Sequence, residues 1–128
     1  MSYLADSDRV ADYLKGRVDA VRFIDDLRPD GLAISVVTYG EVYEGVAFGR
    51  DAEAQERAFE TFLVAVTVLP VTEAEVRRFA LLRGELRRSG FTIGDMDLLI
   101  AATALEHDLV LATRNVRDFS RVPGLRML

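Results

Sequence analysis

Acidic side chains occur in four separate parts of the chain, each directly after a short apolar run or at the start of a predicted helix. They are Asp6, Glu41, the pair Asp95 and Asp97, and Asp118 close to Asn115. Like charges about 4 Å apart repel by roughly 4 kcal/mol at an effective dielectric near 20, so converging carboxylates make sense only around a cation. A bound Mg²⁺ would cancel this repulsion, lower the pKa of a coordinated water and stabilise charge on a phosphoryl oxygen. The chemistry that we expect is therefore hydrolysis of a phosphodiester bond.

The composition limits the other kinds of site. There is no cysteine, which excludes disulfides, iron–sulfur clusters and thiolate zinc sites. His107 is the one histidine and Lys15 the one lysine, so a multi-histidine metal site is also excluded. Any metal must then be held by oxygen atoms, which favours Mg²⁺, Mn²⁺ or Ca²⁺.

Short apolar runs alternate with helical patterns along the 128 residues. We expect strands at residues 3–5, 32–34, 66–69 and 109–112, with a final short strand at 125–127. Helices are predicted over residues 10–28 with a break at Gly16, and over 35–48, 52–64, 72–88 and 93–106. This alternation predicts a single α/β domain, a three-layer α/β/α arrangement with a short parallel sheet of four or five strands. Sites in such sheets form at the carboxyl ends of the strands, where the acids above lie.

The charge and hydropathy give weaker information. The formal net charge is −5, but the basic residues of the second half are all arginine, so the chain permits an RNA partner without predicting one. No apolar run approaches the roughly 18–20 residues that a bilayer-spanning helix needs. The first residues also lack the basic and apolar regions of a secretion signal. We expect a cytoplasmic protein with no membrane contact.

Several segments, in order along the chain, resemble one family. Residues 93–105 (IGDMDLLIAATAL) and 109–119 (LVLATRNVRDF), followed by 122–125 (VPGL), are similar to the most specific block of the VapC-type PIN domains. Residues 3–8 (YLADSD) with 12–16 (DYLKG), and 34–42 (ISVVTYGEV), resemble the opening strand and helix and the segment of the second acid. The resemblance implies a PIN-like fold and a Mg²⁺- or Mn²⁺-dependent endoribonuclease, often acting on tRNA or rRNA. It also implies a homodimer that serves as the toxin of a type II toxin–antitoxin module, with a VapB-like antitoxin lying beside the acids.

The same resemblance assigns roles by position. It makes Asp6, Glu41 and Asp97 catalytic and places them around the metal, with Asp95 and Asp118 as further candidate ligands. From the residue types we also predict supporting roles for Ser7 and Thr113, whose hydroxyl groups can orient a carboxylate or a water, and for Asn115. We predict RNA contacts for Arg114 and Arg117. The chain departs from the family pattern at Asp8, where asparagine is usual, and at Asp95, an acid that many members lack, so it is open whether either residue shares the metal. The fourth ligand position falls on either Asn115 or Asp118.

Each acid also has a purely structural interpretation. Asp6 could cap the helix that follows it, and Asp95 could cap its own helix. Glu41 fits a capping box with Thr38, and Asp97 fits a first-turn acid favoured by the helix dipole. His107, near a helix end, is best explained as a residue compatible with the dipole there.

Two other functions compete with the nuclease. One is a non-catalytic binding module that retains only the fold. The other is a phosphotransfer or receiver-type domain with an acidic pocket, to which Asp6, Ser7 and Asp8 are suited. Such domains hold phosphate with a lysine late in the fold, whereas the only lysine here is Lys15.

Overall fold

The computed structural model describes residues 1–128 and contains four β-strands and seven α-helices. The strands are β1 (Tyr3–Ala5), β2 (Leu32–Ser35), β3 (Thr67–Leu69) and β4 (Val110–Ala112). The helices are α1 (Ser7–Leu14), α2 (Val18–Leu27), α3 (Val36–Ala47), α4 (Ala52–Leu63), α5 (Glu73–Arg88), α6 (Asp95–Glu106) and α7 (Val116–Phe119). All the predicted helices and the first four strands are present within a few residues, whereas α7 was not predicted; a 3₁₀ turn (Arg28–Asp30) follows α2. None of the helices combines the length and the apolar composition needed to cross a membrane.

The four strands form one parallel sheet in the order β3-β2-β1-β4. Leu4 in β1 is paired with Ala33 on one side and with Leu111 on the other, so β1 is an interior strand. Residues 125–127 do not form the predicted fifth strand, since they contribute only a single bridge between Met127 and Leu111. The parallel sheet brings the carboxyl ends of β1, β2 and β4 to one edge.

Helices cover both faces of the sheet, which confirms the three-layer prediction. Successive residues of a strand point to opposite faces, and in β1 the fully buried Leu4 and Ala5 belong to different clusters. Leu4 packs in the cluster that contains residues of α5 and α6. Ala5 packs with residues of α1, α2, α3 and α4.

Local signals explain where the helices begin and end. Gly16 has a φ of 75°, a conformation that glycine adopts easily, and it separates α1 from α2 as expected. The Ser35 hydroxyl accepts a hydrogen bond from the backbone N–H of Val37 and starts α3 directly after β2. Thr72 and Glu75 form a capping box that starts α5. These short connections hold the helix starts close to the strand ends.

Candidate active site

Asp6 lies at the centre of the candidate site, where β1 passes into α1. Its carboxylate accepts hydrogen bonds from the Ser7 backbone N–H at 2.8 Å and from the Thr113 hydroxyl at 2.7 Å. Asp6 is only 4% exposed. It does occupy the N-cap position of α1, as the structural interpretation proposed. However, its second oxygen bonds to the residue that follows β4, so Asp6 also joins the ends of two neighbouring strands.

Glu41 reaches the same region from α3. Its carboxylate accepts a 2.6 Å hydrogen bond from the hydroxyl of Ser7, which also lies 3.3 Å from the Thr38 hydroxyl. The capping-box interpretation of Glu41 is wrong, because α3 begins at Val36 and Thr38 is a fully buried residue inside the helix. The side chain is therefore not used to start its own helix.

The acids influence one another's ionisation. Burial is the main cause that raises the pKa of Asp6 to about 6; the Thr113 hydrogen bond opposes this, and the charges of Asp8 and Asp97 add to it. The pKa of Asp97, in the first turn of α6, is raised by burial and then by the charges of Glu41, Asp118 and Asp8. Carboxylates from α1, α3, α6 and α7 thus lie close enough to oppose each other's ionisation, and no basic side chain compensates Asp6 or Asp97.

The two candidates for the fourth position lie in one small turn after β4. Asn115 is the N-cap of α7, where its side-chain oxygen accepts a 3.4 Å bond from the Asp118 backbone N–H. Its amide nitrogen donates to the Asp118 carboxylate at 3.3 Å. Its backbone N–H donates to the Thr113 hydroxyl at 3.0 Å. Asn115 therefore orients both neighbours, and Asp118 supplies the carboxylate whose charge acts on Asp97.

Asp95 is not brought into this group. Its exposed carboxylate forms an ion pair with Arg83 of α5. The N-cap interpretation of Asp95 is also wrong, because Gly94 occupies that position. Asp95 contributes instead to the contact between α5 and α6.

The sequence left open whether Asp8 shares the metal, and its carboxylate lies beside the candidate site. One of its carboxylate oxygens accepts a 3.0 Å bond from the Arg114 backbone N–H. The other oxygen is buried and has no hydrogen-bond partner. Its position two residues after Asp6 was the available signal, and its charge acts on both Asp6 and Asp97.

The basic residues are placed differently from one another. The Arg114 guanidinium donates a 2.6 Å bond to the carboxylate of Asp12 in α1. Arg117 is exposed on α7 and forms no ion pair. His107 lies at the end of α6, 2.9 Å from Glu75 of α5, and does not contact the acids after β1 and β4.

The donor set suits a hard divalent cation. No three acidic or histidine side chains lie close enough together to coordinate one metal ion as they stand. The carboxylates of Glu41, Asp6 and Asp118 accept hydrogen bonds instead, from Ser7, Thr113 and Asn115 respectively. Two observations nevertheless fit a cation: the buried Asp8 oxygen lacks any donor, and the pKa of Asp6 is raised by burial and then by the charges of Asp8 and Asp97. Because every available donor is oxygen, Mg²⁺ and Mn²⁺ match the site.

A groove of about 740 Å³ opens beside the acids, within the range of small-ligand sites. Its walls are formed by α1, by α3 and by the segment that leads into α4. The lining includes Ser7, Asp8 and Glu41 at the acidic end and Lys15, Arg50 and Asp51 elsewhere. Asp8 and Glu41 are therefore reached from an open surface that also carries two basic side chains.

Comparison with known proteins agrees with this geometry. The PIN domain family matches residues 3–125. Ribonuclease VapC10 of Mycobacterium tuberculosis is 41% identical over 124 residues, which cover 96% of this chain and 90% of that protein. The structure of VapBC2 from Rickettsia felis, bound to a DNA fragment from its promoter, superposes with a TM-score of 0.92 at 25% identity, covering 100% of this chain and 98% of that one. A toxin–antitoxin complex from Klebsiella pneumoniae gives a TM-score of 0.79 at 30% identity, covering 97% and 95%.

The three-layer fold and the family match identify the chain as a member of the PIN domain family. Its 41% identity to VapC10, over nearly the whole length of both chains, places it within that family among the VapC ribonucleases. This assignment confirms the resemblance seen in the sequence, and it favours the nuclease over the receiver-type alternative.

Proposed function

We propose that this protein is a metal-dependent endoribonuclease that acts as the toxin of a VapBC-type toxin–antitoxin module. The observation that carries the proposal is the group formed by Asp6, Glu41, Asp97 and Asp118. These acids come from four separate elements and gather near the carboxyl ends of β1 and β4, where their charges act on one another. Without a cation the carboxylates repel one another, which destabilises the folded state, whereas a bound cation would neutralise them and activate water.

Asp6 and Asp97 are the proposed principal ligands of Mg²⁺ or Mn²⁺, with Glu41 and Asp118 completing the set. A bound divalent ion would neutralise these carboxylates, activate water and stabilise charge on the phosphodiester, leaving a 3′-hydroxyl and a 5′-phosphate. Ser7 and Thr113 hold Glu41 and Asp6 in place through their hydroxyl groups. Asn115 does the same for Asp118. Asp95, which is paired with Arg83, is left out of the proposed ligand set.

The partners follow from the surface around the acids and from the relatives. A flexible RNA strand, such as a loop of tRNA or rRNA, would enter the open groove that leads to Asp8 and Glu41, and the exposed Arg117 would contact its phosphates. A VapB-like antitoxin is the proposed inhibitor, because similar chains were solved as toxin–antitoxin complexes. A homodimer is proposed on the family resemblance.

Cleavage of end-labelled tRNA and rRNA fragments by the purified chain tests this function. Cleavage should require Mg²⁺ or Mn²⁺ and stop in EDTA. Asp97→Asn should lower the cleavage rate at least about 100-fold, because mutation of the residues that hydrogen-bond to metal ligands already lowers metal affinity or activity by about 10–100-fold. Asp95→Asn is the matched control: it makes the same change two residues away, and we expect activity within a few-fold of the wild type.

Two results would argue against the proposal. Cleavage that persists in EDTA would mean that the acids do not act through a metal. Equal loss of activity in Asp95→Asn and Asp97→Asn would mean that the effect is structural. If RNA binds but is never cut, the non-catalytic binding module becomes the better description.

A further inference from the structure

The segment after β4 is tied to α1 at two points by a single residue, Arg114. Its guanidinium donates to the Asp12 carboxylate at 2.6 Å, and its backbone N–H donates to the Asp8 carboxylate at 3.0 Å. Asp8 and Asp12 are four residues apart in α1, so they lie on the same face of the helix in successive turns. Arg114 therefore bridges two turns of α1 from a position more than 100 residues away in sequence.

The Asp12 contact is not an ordinary surface ion pair. Asp12 is 8% exposed, whereas the side chain of Arg114 is 54% exposed. Asp12 has a second cation, Arg17, but at 3.9 Å and with a side chain that is 58% exposed. Since a buried carboxylate needs a close partner, Arg114 is the residue that satisfies Asp12.

The bridge acts on the candidate site through Asp8 and Thr113. Holding one Asp8 oxygen leaves the other oxygen buried and without a donor, and the charge of Asp8 acts on Asp6. The residue before Arg114 is Thr113, whose hydroxyl bonds to Asp6. A shift of this segment would therefore disturb both Asp6 and Asp8.

We propose that Arg114 is a positioning residue that, through Asp12, fixes the segment after β4 so that Thr113 and Asp8 are presented correctly to Asp6. This inference rests on the proposed metal-dependent function. It differs from the sequence expectation that Arg114 contacts RNA. An RNA contact would place the guanidinium on a phosphate, whereas here it is bound to a buried carboxylate of its own chain.

Steady-state kinetics separate these two roles. Arg114→Ala and Asp12→Asn should each lower kcat by about 10-fold or more with little change in KM for RNA, as expected for neighbours of metal ligands. The double variant should be no worse than either single variant, because both remove one interaction. Arg17→Ala, which removes the distant cation from the same carboxylate, is the matched control and should behave like the wild type.

An RNA contact predicts a different pattern. Arg114→Ala would then raise KM and reduce the salt dependence of RNA binding by about 0.7 in log–log slope, the value for one phosphate on a single strand. Asp12→Asn would leave cleavage unchanged, because an acidic buried residue does not bind phosphate. Either finding would overturn the positioning role.

Two measurements do not depend on cleavage. Titration with Mn²⁺ should give about 10-fold weaker binding in Asp12→Asn and Arg114→Ala than in Arg17→Ala. The NMR signal of the Arg114 backbone amide should shift in Asp12→Asn, since its bond to Asp8 is loosened. An unchanged amide signal and unchanged Mn²⁺ affinity would refute the inference even for an active nuclease.

The same measurements separate this inference from the proposed function. A wild-type chain that binds Mn²⁺ but never cleaves RNA would contradict the nuclease, while the amide shift would still support the role of Arg114. Because its side chain is half exposed, Arg114→Ala is the variant to use if Asp12→Asn does not fold.

Discussion

Replacing Asp6 by asparagine should stabilise the metal-free protein at neutral pH, although it removes a proposed metal ligand. Asparagine has nearly the same shape, and its side-chain oxygen can still accept the Ser7 backbone N–H. The substitution therefore removes mainly the charge. The outcome depends on whether that charge is as unfavourable in the fold as its surroundings indicate.

The size of the effect follows from the pKa of Asp6. Burial, together with the charges of Asp8 and Asp97, raises it from the ordinary value of 3.8 to about 6. At pH 7.5 this difference costs the folded state about 3 kcal/mol, at about 1.36 kcal/mol for each pH unit between the two values. Asparagine also places an NH₂ group where one carboxyl oxygen stood, and its poorer fit to the Thr113 hydroxyl offsets about 1 kcal/mol. We expect a net gain of about 2 kcal/mol, or about 7 °C in Tm for a chain of this length.

The sign of the pH dependence makes the test specific. A carboxyl group with a raised folded-state pKa favours the folded state while it is protonated, and this contribution is lost as the pH rises through about 6. Wild-type protein in EDTA should therefore become less stable as the pH rises from about 4 to about 6, and the raised pKa of Asp97 acts in the same direction. Asp6→Asn should flatten this slope, and its advantage should vanish near pH 4.

Urea unfolding in EDTA at several pH values provides the measurement. Asp97→Asn serves as a second charge-removing variant, and both should lose the stabilisation that Mn²⁺ gives to the wild type. If Asp6→Asn is less stable than the wild type at pH 7.5, or keeps the wild-type slope, the site does not carry an uncompensated charge. The fit to a cation would then lose its main support.

Three further predictions concern metal binding, the α5–α6 contact and the backbone. Mn²⁺ at 100 times its Kd should stabilise the wild type by about 2.7 kcal/mol, and a melting curve of Asp97→Asn should show almost none of this gain. Glu75→Gln should cost about 1–3 kcal/mol at pH 7 in urea unfolding, because it weakens a buried hydrogen-bond acceptor. Burial opposes ionisation of Glu75, but hydrogen bonds from Thr72 and His107 lower its pKa to about 2. The wild type should therefore lose the stability that the ionised Glu75 contributes as the pH falls from 4.5 toward 2. In the same assay, Gly31→Ala should cost about 2 kcal/mol or more and Gly16→Ala about 1 kcal/mol. Both glycines have a positive φ, but only at Gly31 would the added Cβ also lie 2.7 Å from the backbone of Met1.

The sequence was sufficient to predict the sheet and its helices because the signals are local. Apolar runs bounded by glycine, proline or capping residues mark β1 to β4, and the structure changes their limits by only a residue or two. The four-residue helix α7 was missed because so short an element lacks a recognisable period. The expected strand near the end of the chain fails because only Met127 pairs with the sheet.

The partners of individual side chains were harder to predict, since they depend on how elements pack. Asp95 is held by Arg83 across the contact between α5 and α6, which no sequence pattern reveals. Arg114 is bound to Asp12, a residue 102 positions earlier. The pattern of acids correctly indicated which strand ends come together, but which oxygen bonds to which donor is determined by tertiary packing.

The interior position of β1 has a consequence for synthesis of the protein. The first strand of the chain needs β4 as a neighbour, and Asp6 bonds to Thr113, 107 positions later. A polypeptide growing on the ribosome therefore holds no assembled site until β4 and Thr113 have been made. A product cut short before β4 would carry the first acids without the residues that orient them, so translation that stops early should release harmless fragments rather than an active toxin.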